Sequence, residues 1–527
     1  MKKILSALLV LMILIASTTA FAIEEPLPFQ GTFPFSEEPI TLNVFNMQGL
    51  YTRGDFQDME CWKWLKEKTN IELKFESYTS DIVAEKLALK MVSNELPDLF
   101  FKTQLDNATV LKYAQEGIFI PITDYLEEYA PHFWYQLEND PSLRAFLTMS
   151  DGEIYGFNYI VSAANFMTTP VFANGEWMKA IGYDEVPADT EEFKQMLIKI
   201  RDADLNGNGE KDEVPLIATS LDNIYLLFAG AFGVNTRGRT AMYIDVDENN
   251  ALRYIPTSEG YRNTLRYINE LYEEGLLYQE IFDSSIANMT AVGEQNRIFM
   301  GIGSLHYAGT TYQDQMVGVD TIFKGPAGYQ MNANVGNPIM AMNTFITCDN
   351  PHPAETVRLI DYFYSKEGVE LMFAGFEGVT FERDAEGNAI YNDYVQHNPD
   401  GLINEEVLGA YCPWGGGANP SIAEDHVFGA NMYTAMERDV CMERIKAAPE
   451  VVWGNFNYTA EDYEELSILE NDINTYVSEM RAKFVTGDAD LDADWDSYLK
   501  TLERMRLAQL IEIYQRGLDN YNKAAGL

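Results

Sequence analysis

The sequence predicts an α/β protein with a helical C-terminal region. Three observations carry that expectation. Strand-like and helix-like segments alternate over residues 40–101, apolar stripes at helical spacing fill the C-terminal fifth, and 527 residues are too many for one core. Two or three domains are therefore expected.

The elements follow in order. Ile40-Thr41-Leu42-Asn43-Val44-Phe45 reads as a strand by alternation and β-propensity. A helical segment with Trp62 and Trp64 leads to a second strand at Ile71 to Phe75. Asp81 can cap a helix that carries Val83, Leu87 and Met91 on one face and ends near Asn94. Leu96 to Phe101 reads as a third strand. Parallel α/β sheets place ligands at the carboxyl ends of their strands, which directs attention to Asn46–Tyr51 and Lys102–Asn107. Residues 170–200 begin a second unit, where Asp189 or Thr190 caps a helix with Phe193, Met196, Leu197 and Ile200 inward. A strand at Val214–Ala218, a helix with Tyr261, Leu265, Ile268 and Tyr272, and a buried strand at Arg297–Gly303 beside a crossing back to the first unit follow. Asn350-Pro351 enters a helix with Val357, Ile360 and Tyr364. Near the end, Leu466, Leu469, Ile473, Tyr476, Met480 and Phe484 form one stripe, and Trp495, Tyr498, Leu502 and Met505 begin another.

Residues 1–22 have the form of a secretory signal: Lys2 and Lys3, an apolar run from Ile4 to Ala16, and Ala20-Phe21-Ala22 for cleavage. No cysteine follows that site, so a lipid anchor is not expected, and the chain is assigned to the extracellular or periplasmic space. A Pro-rich leader occupies residues 23–39. The formal charge of −44 becomes −46 when Lys2 and Lys3 leave. Such acidity repels nucleic acid phosphates and anionic membrane surfaces, while 46% hydrophobic residues argue against disorder. Cys61, Cys348, Cys412 and Cys441 are too few for a disulfide scaffold and lack zinc-site spacing. One or two disulfides and buried thiols remain equal readings, and the sequence does not pair them.

The run Asp204-Leu205-Asn206-Gly207-Asn208-Gly209-Glu210-Lys211-Asp212-Glu213 alternates oxygen-bearing side chains with small or exposed residues. Ca²⁺ takes six to eight oxygens at about 2.3–2.6 Å, and such a loop can supply them. Two registers compete. From Asp202 the run fits the EF-hand pattern through Asp204, Asn206, Gly207 and Glu213, but that pattern needs an exiting helix where Val214-Pro215-Leu216-Ile217 reads as a strand. The register from Asp204 uses the side chains of Asn206, Asn208, Asp212 and Glu213 with the carbonyl of Glu210, for a structural calcium. A metal-free Asx/Gly turn is the alternative. The alternating acids Asp488, Asp490, Asp492, Asp494 and Asp496 lead into a helix and are explained by capping.

Several segments resemble the extracellular solute-binding proteins of carbohydrate ABC importers, in particular the large branch that includes alginate- and oligosaccharide-binding proteins. The matching pieces are Glu85-Lys86-Leu87 to Leu96-Pro97-Asp98, Asp151-Gly152-Glu153-Ile154-Tyr155-Gly156, and the calcium run with Val214-Pro215-Leu216. Leu271-Tyr272-Glu273-Glu274-Gly275-Leu276, Asp361 to Gly368, Gly375-Phe376-Glu377-Gly378-Val379, Phe484-Val485-Thr486-Gly487, Trp495-Asp496-Ser497-Tyr498 and Ile513-Tyr514-Gln515 continue the match in order. The resemblance implies a two-lobed, type II periplasmic-binding fold: residues 40–160 plus about 310–400 in lobe 1, and 161–309 plus about 401–527 in lobe 2. It implies an oligosaccharide held between the lobes, an ABC permease as partner, and a calcium site at Asp204, Asn206, Asn208, Glu210, Asp212 and Glu213. The chain is expected to act as a monomer. Two departures stand out: the missing lipid-anchor cysteine, and Asn174-Gly175-Glu176-Trp177 where a basic residue is expected, which argues against an anionic ligand.

Sugars are gripped by aromatic faces and by carboxylates and amides that bond hydroxyls. Trp414, in Tyr411-Cys412-Pro413-Trp414-Gly415-Gly416-Gly417, and Trp453, before Gly454-Asn455, lie in expected loops. Asn46 and Tyr51 lie at a strand end, Tyr159 and Tyr307 near expected lobe crossings, and Glu377 between two glycines. For each, packing or a capped turn is the competing explanation. Trp62, Trp64 and Trp177 are assigned to packing. A secreted polysaccharide-active enzyme is the main rival, yet 81 acids single out no carboxylate pair, and HExxH, Walker A and GxSxG motifs are absent. His132, His306, His352, His397 and His426 show no ligand spacing. A ligand-sensing surface protein is a third class. No catalytic residue is expected.

Overall fold

The computed structural model describes residues 25–527, apart from 50, 94, 164–166, 235, 248–250, 338, 415–418 and 433 and the side chains of 339–343 and 432. The signal at 1–22, the helix end at Asn94 and the glycines of the Trp414 loop lie outside the described residues.

A six-stranded sheet organises the first lobe. Its strands are β1 (Ile40–Met47), β2 (Ile71–Tyr78), β3 (Leu99–Phe101), β4 (Gly156–Val161), β11 (Ile339–Ile346) and β14 (Ser421–Ala423), in the order β14-β4-β11-β3-β1-β2. β1 runs parallel to β2, with Ile40 opposite Ile71, and to β3, with Val44 opposite Leu99. β11 is antiparallel to both β3 and β4. Between β1 and β2, helix α1 (Glu60–Thr69) buries Cys61, Trp62, Leu65 and Thr69 and stops at the left-handed Asn70. Between β2 and β3, helix α2 (Val83–Ser93) buries Val83, Leu87 and Met91, the face its spacing predicts. Asp81 lies in the turn ahead of that helix.

The second lobe is built on a four-stranded sheet in the order β10-β5-β9-β6, from β5 (Val171–Asn174), β6 (Val214–Ala218), β9 (Ile298–Ile302) and β10 (Met316–Gly318). A hairpin of β7 (Ile244–Val246) with β8 (Leu252–Tyr254) packs on this second core, and one of β12 (Phe381–Arg383) with β13 (Ala389–Tyr391) packs on the first. Asp189 caps the helix Thr190–Arg201 by accepting from the amides of Glu191 and Glu192 at 3.0 and 3.1 Å. The C-terminal region is helical: Ala460–Thr486, Trp495–Arg504 and Leu507–Ala525 bury Leu466, Ile473, Phe484, Trp495, Tyr498 and Leu502 against the second core.

Sheet membership departs from the expected boundaries. Residues 316–318 pair with β5 of the second sheet, and residues 421–423 pair with β4 of the first. The second and third crossings therefore lie after β10 and after β14, later than about 310 and about 401. The strand at Ile298–Ile302 sits inside its sheet, between β5 and β6, instead of beside a crossing. The leader also does more than its composition suggests. Phe29 stacks on His132, while Phe33 and Phe35 meet Trp64 and Tyr362 edge-on, all on the first lobe. His132 is held in turn by Asp361 at 2.6 Å in the buried interior.

The helix Pro141–Leu147 joins the two cores. Leu143 and Leu147 pack into the first core, while Ala145 and Phe146 pack into the second. The Phe146 ring stacks on Tyr521 at 4.7 Å, and the Tyr521 hydroxyl meets Ser142 Oγ at 3.0 Å. Elsewhere in the first lobe, Arg383 makes two 2.9 Å contacts with Glu370, and His426 approaches the same carboxylate at 3.0 Å. Burial pushes the Glu370 carboxyl up, but the hydrogen bonds from His426 and Arg383 outweigh it and hold the group at about 2.

Two outcomes are expected. Phe146→Ala should cost about 3–5 kcal/mol in chemical unfolding, because it leaves a cavity where the cores meet. Glu370→Gln should destabilise by about 1.5–3 kcal/mol at neutral pH. Since the folded carboxyl titrates below the ordinary 4.5, its contribution is complete above that value and is lost as pH falls toward about 2. Melts of both proteins across that range should converge at the acid end; a constant gap would contradict this account.

Candidate functional site

The oxygen-rich loop lies where its residues predict, between the helix ending at Arg201 and β6. The strand Val214–Ala218 follows it directly. Gly207 and Gly209 take φ of 74° and 89°, which lets the loop turn twice within three residues. Asp204 accepts from the amides of Gly207 and Gly209 at 2.9 and 3.0 Å. Asn206 and Asn208 each accept from the amide two residues on, and both donate through Nδ2 to one oxygen of Asp212 at 3.1 and 3.0 Å. The other Asp212 oxygen meets Arg297 Nε at 2.8 Å. Glu213 is only 6% exposed; its Oε1 accepts from Leu205 and Asn206, and its Oε2 has no hydrogen-bond partner. Among the described residues, no three His, Cys, Asp or Glu side chains are gathered as a metal cage. The donor set nevertheless suits a hard cation: Glu213 Oε2 is a buried oxygen without a partner among the described residues, and Asp204, Asn206, Asn208 and Asp212 bring further oxygens into the same loop.

The second locus is the buried cluster at the carboxyl ends of β1 and β3. Asn46 is fully buried near the end of β1; its Nδ2 donates to Ser77 Oγ at 3.0 Å, and its Oδ1 has no partner. Lys102, directly after β3, is fully buried with φ of 59° and donates to the Pro413 carbonyl at 3.2 Å. Burial pushes its ammonium down to about 7. That bond ties the Trp414 segment to the sheet. Trp414 packs edge-on against Phe428 at 4.9 Å and near Phe373 at 5.5 Å, and its Nε1 has no partner. Asn419 is fully buried with neither amide atom bonded. The Tyr51 carbonyl runs close against Gly409.

A cavity of about 450 Å³ opens between the lobes beyond the end of β3. Asp106 and Asn107 contribute from the first lobe, and Arg239, Tyr243, Asn455 and Tyr463 from the second. Asn107 reaches across to Asn457 at 2.7 Å. Arg239 donates to Thr169 Oγ1 at 3.2 Å on the first crossing. None of the seven sugar-contact candidates lines this cavity, although Trp453 precedes Gly454, which does. Trp453 itself is buried under the Arg237 guanidinium, 5.3 Å from the ring centre. Tyr159 is buried in β4 beside Phe373, Tyr307 packs on His306 in the second lobe, and Glu377 is exposed and paired with Arg383 at 3.0 Å. Sequence reasoning missed Arg239, Tyr243, Asn455 and Tyr463, since nothing local marks them. Asp106 was discoverable, because it caps a helix directly beyond a strand end already singled out.

The comparisons with known proteins match this architecture. The profile of the bacterial extracellular solute-binding protein family matches residues 62–399. The fructooligosaccharide ABC transporter substrate-binding protein FusA of Streptococcus pneumoniae serotype 4 is 25% identical over 513 residues, 93% of this chain and 92% of its own length. The structure of FusA in complex with kestose superposes with a TM-score of 0.71 at 21% identity, covering 92% of this chain and 99% of that one. An HMO-binding, ABC-transporter-associated solute-binding protein of Bifidobacterium longum infantis gives a TM-score of 0.75 at 17% identity, with coverage of 92% and 99%. With a family match across well over half its length and the two-lobed fold of those relatives, the chain belongs to the bacterial extracellular solute-binding proteins.

Proposed function

We propose that the chain captures a neutral oligosaccharide between its lobes and delivers it to an ABC permease outside the membrane, without altering it. The observation that carries this reading is the lining of the interlobe cavity. The polar side chains of Asp106, Asn107, Arg239 and Asn455, with the rings of Tyr243 and Tyr463, offer what sugar hydroxyls and C–H faces need. The likeness to a fructooligosaccharide-binding relative along nearly the whole chain supports the same class of ligand. The run Asn174-Gly175-Glu176-Trp177 carries no basic residue where one was expected, which favours an uncharged guest. Closing the lobes on the sugar would shift the population toward a form the permease accepts. A monomer suffices for this role. Extracellular or periplasmic placement follows from the signal-like N-terminus, and no helix among the described residues is long and apolar enough to cross a membrane.

A structural calcium at Asp204, Asn206, Asn208, the Glu210 carbonyl, Asp212 and Glu213 belongs to the same proposal. Support comes from the partnerless Glu213 oxygen. Support also comes from relatives: solved structures include an EF-hand mutant of FusA and an alginate-binding protein, AlgQ2, without calcium ion. The cation would fix the turn before β6 by neutralising the loop's carboxylates.

Thermal-shift measurements should show a higher Tm with kestose or nystose and none with alginate oligosaccharides, as binding to the folded state requires; about 2.7 kcal/mol is gained at a ligand concentration 100 times Kd. A flat response to every saccharide, or hydrolysis products in the same wells, would favour the enzyme or sensor readings. For the loop, EDTA should lower the Tm while leaving sugar binding measurable, and Glu213→Gln should abolish the EDTA response. An EDTA-insensitive melt with no calcium by elemental analysis would remove the cation.

A further inference from the structure

Two of the four cysteines meet in the first core. The first turn of α1 lies along the chain that leads to Trp414: the amide of Glu60 donates to the Ala410 carbonyl at 3.2 Å, and that of Cys61 donates to the Tyr411 carbonyl at 3.0 Å. Ordinary bond lengths and angles across that second bond hold the Cα atoms of residues 61 and 412 within about 7 Å of each other. Disulfides span roughly 4.4–6.8 Å between Cα atoms. Both side chains are fully buried in the same apolar cluster. The other two cysteines are elsewhere: Cys348 is exposed, and Cys441 turns its sulfur toward the Thr168 carbonyl at 3.7 Å.

We propose that Cys61 and Cys412, free thiols in this structure, are a redox pair that closes to a disulfide and clamps the Trp414 segment onto α1. The clamp would act beside the bond from Lys102 to the Pro413 carbonyl, so two independent ties would fix the loop at the end of β3. The chemistry is thiol–disulfide exchange with an external disulfide. The thiolate of one cysteine attacks it and expels one thiol; the second cysteine then attacks the mixed disulfide and expels the other. The two cysteines lose two protons and two electrons, and the external disulfide gains them as two thiols. Burial pushes both cysteine thiols up, Cys412 to about 12, so the thiolate is scarce once the core has closed. Exchange therefore belongs to folding, or to local opening of the loop. In the cell the clamp rests on the extracellular reading above, because the cytosol keeps thiols reduced.

The test uses the full chain refolded from denaturant in a glutathione redox buffer, quenched in acid, unfolded, alkylated without reductant and mapped by mass spectrometry. Alkylation is expected at Cys348 and Cys441 alone, with one peptide pair joined through Cys61 and Cys412 that separates on reduction. Cys348→Ser should leave the pair intact, and Cys61→Ser should expose Cys412 to alkylation. Four alkylated cysteines, or a bond through Cys348 or Cys441, would overturn the proposal. Sugar binding by the same samples reports separately on the carrier reading, so either can fail alone. Reduction should lower the Tm of the refolded protein and leave that of a Cys61→Ser, Cys412→Ser variant unchanged.

Discussion

The structure depends on one packing constraint: two apolar cores must share a chain that passes back and forth between them. The helix Pro141–Leu147 meets that constraint directly. Its leucines at i and i+4 face the first core, and Ala145 and Phe146 between them face the second. A helix with a single apolar face could anchor only one lobe. Its two-sided packing places the lobes side by side, with the crossings after β4, β10 and β14 as the remaining links.

That arrangement leaves some unbonded polar groups at the edge of the first sheet, while others, such as the hydroxyls of Tyr225 and Tyr261, lie inside the second core. A sheet buries its faces under helices, but the carboxyl ends of its strands open onto loops that the second lobe only partly covers. Asn46, Lys102 and Trp414 are buried at this edge; Lys102 is bonded to the Pro413 carbonyl, while Asn46 Oδ1 and Trp414 Nε1 keep no partner among the described residues. Buried polar groups without partners are costly, so a fold that keeps several at one edge is poised for a hydroxyl-rich ligand. The oxygen-rich loop before β6 shows the opposite economy. Asp204 is satisfied by the loop's backbone amides and Asp212 by the amides of Asn206 and Asn208 and by Arg297, whereas Glu213 retains a buried oxygen with no partner among the described residues.

Much of the fold was legible in the residues. The alternation at Ile40–Phe45, the i, i+4, i+8 spacing of Val83, Leu87 and Met91, and the cap at Asp189 are local signals, and each produced its element. The crossings were placed too early because pairing of Met316–Gly318 with β5, and of Ser421–Ala423 with β4, joins residues more than a hundred positions apart. Register across such distances leaves no trace in periodicity. The site was legible in part. Strand-end logic led to Asn46 and to the Lys102–Asn107 segment, which includes the cavity's Asp106, whereas Arg239, Tyr243 and Asn455 come from separate turns of the second lobe.

The sequence by itself determined which segments are amphipathic, where the chain turns, and which loop concentrates oxygen, because these depend on neighbours within a few residues. Only the tertiary structure decided that the Phe-rich leader docks on Trp64 and Tyr362, that Trp453 lies beneath Arg237, and that Cys61 lies beside Cys412. Those contacts arise when distant apolar surfaces exclude water together, and no local pattern encodes which surfaces will meet.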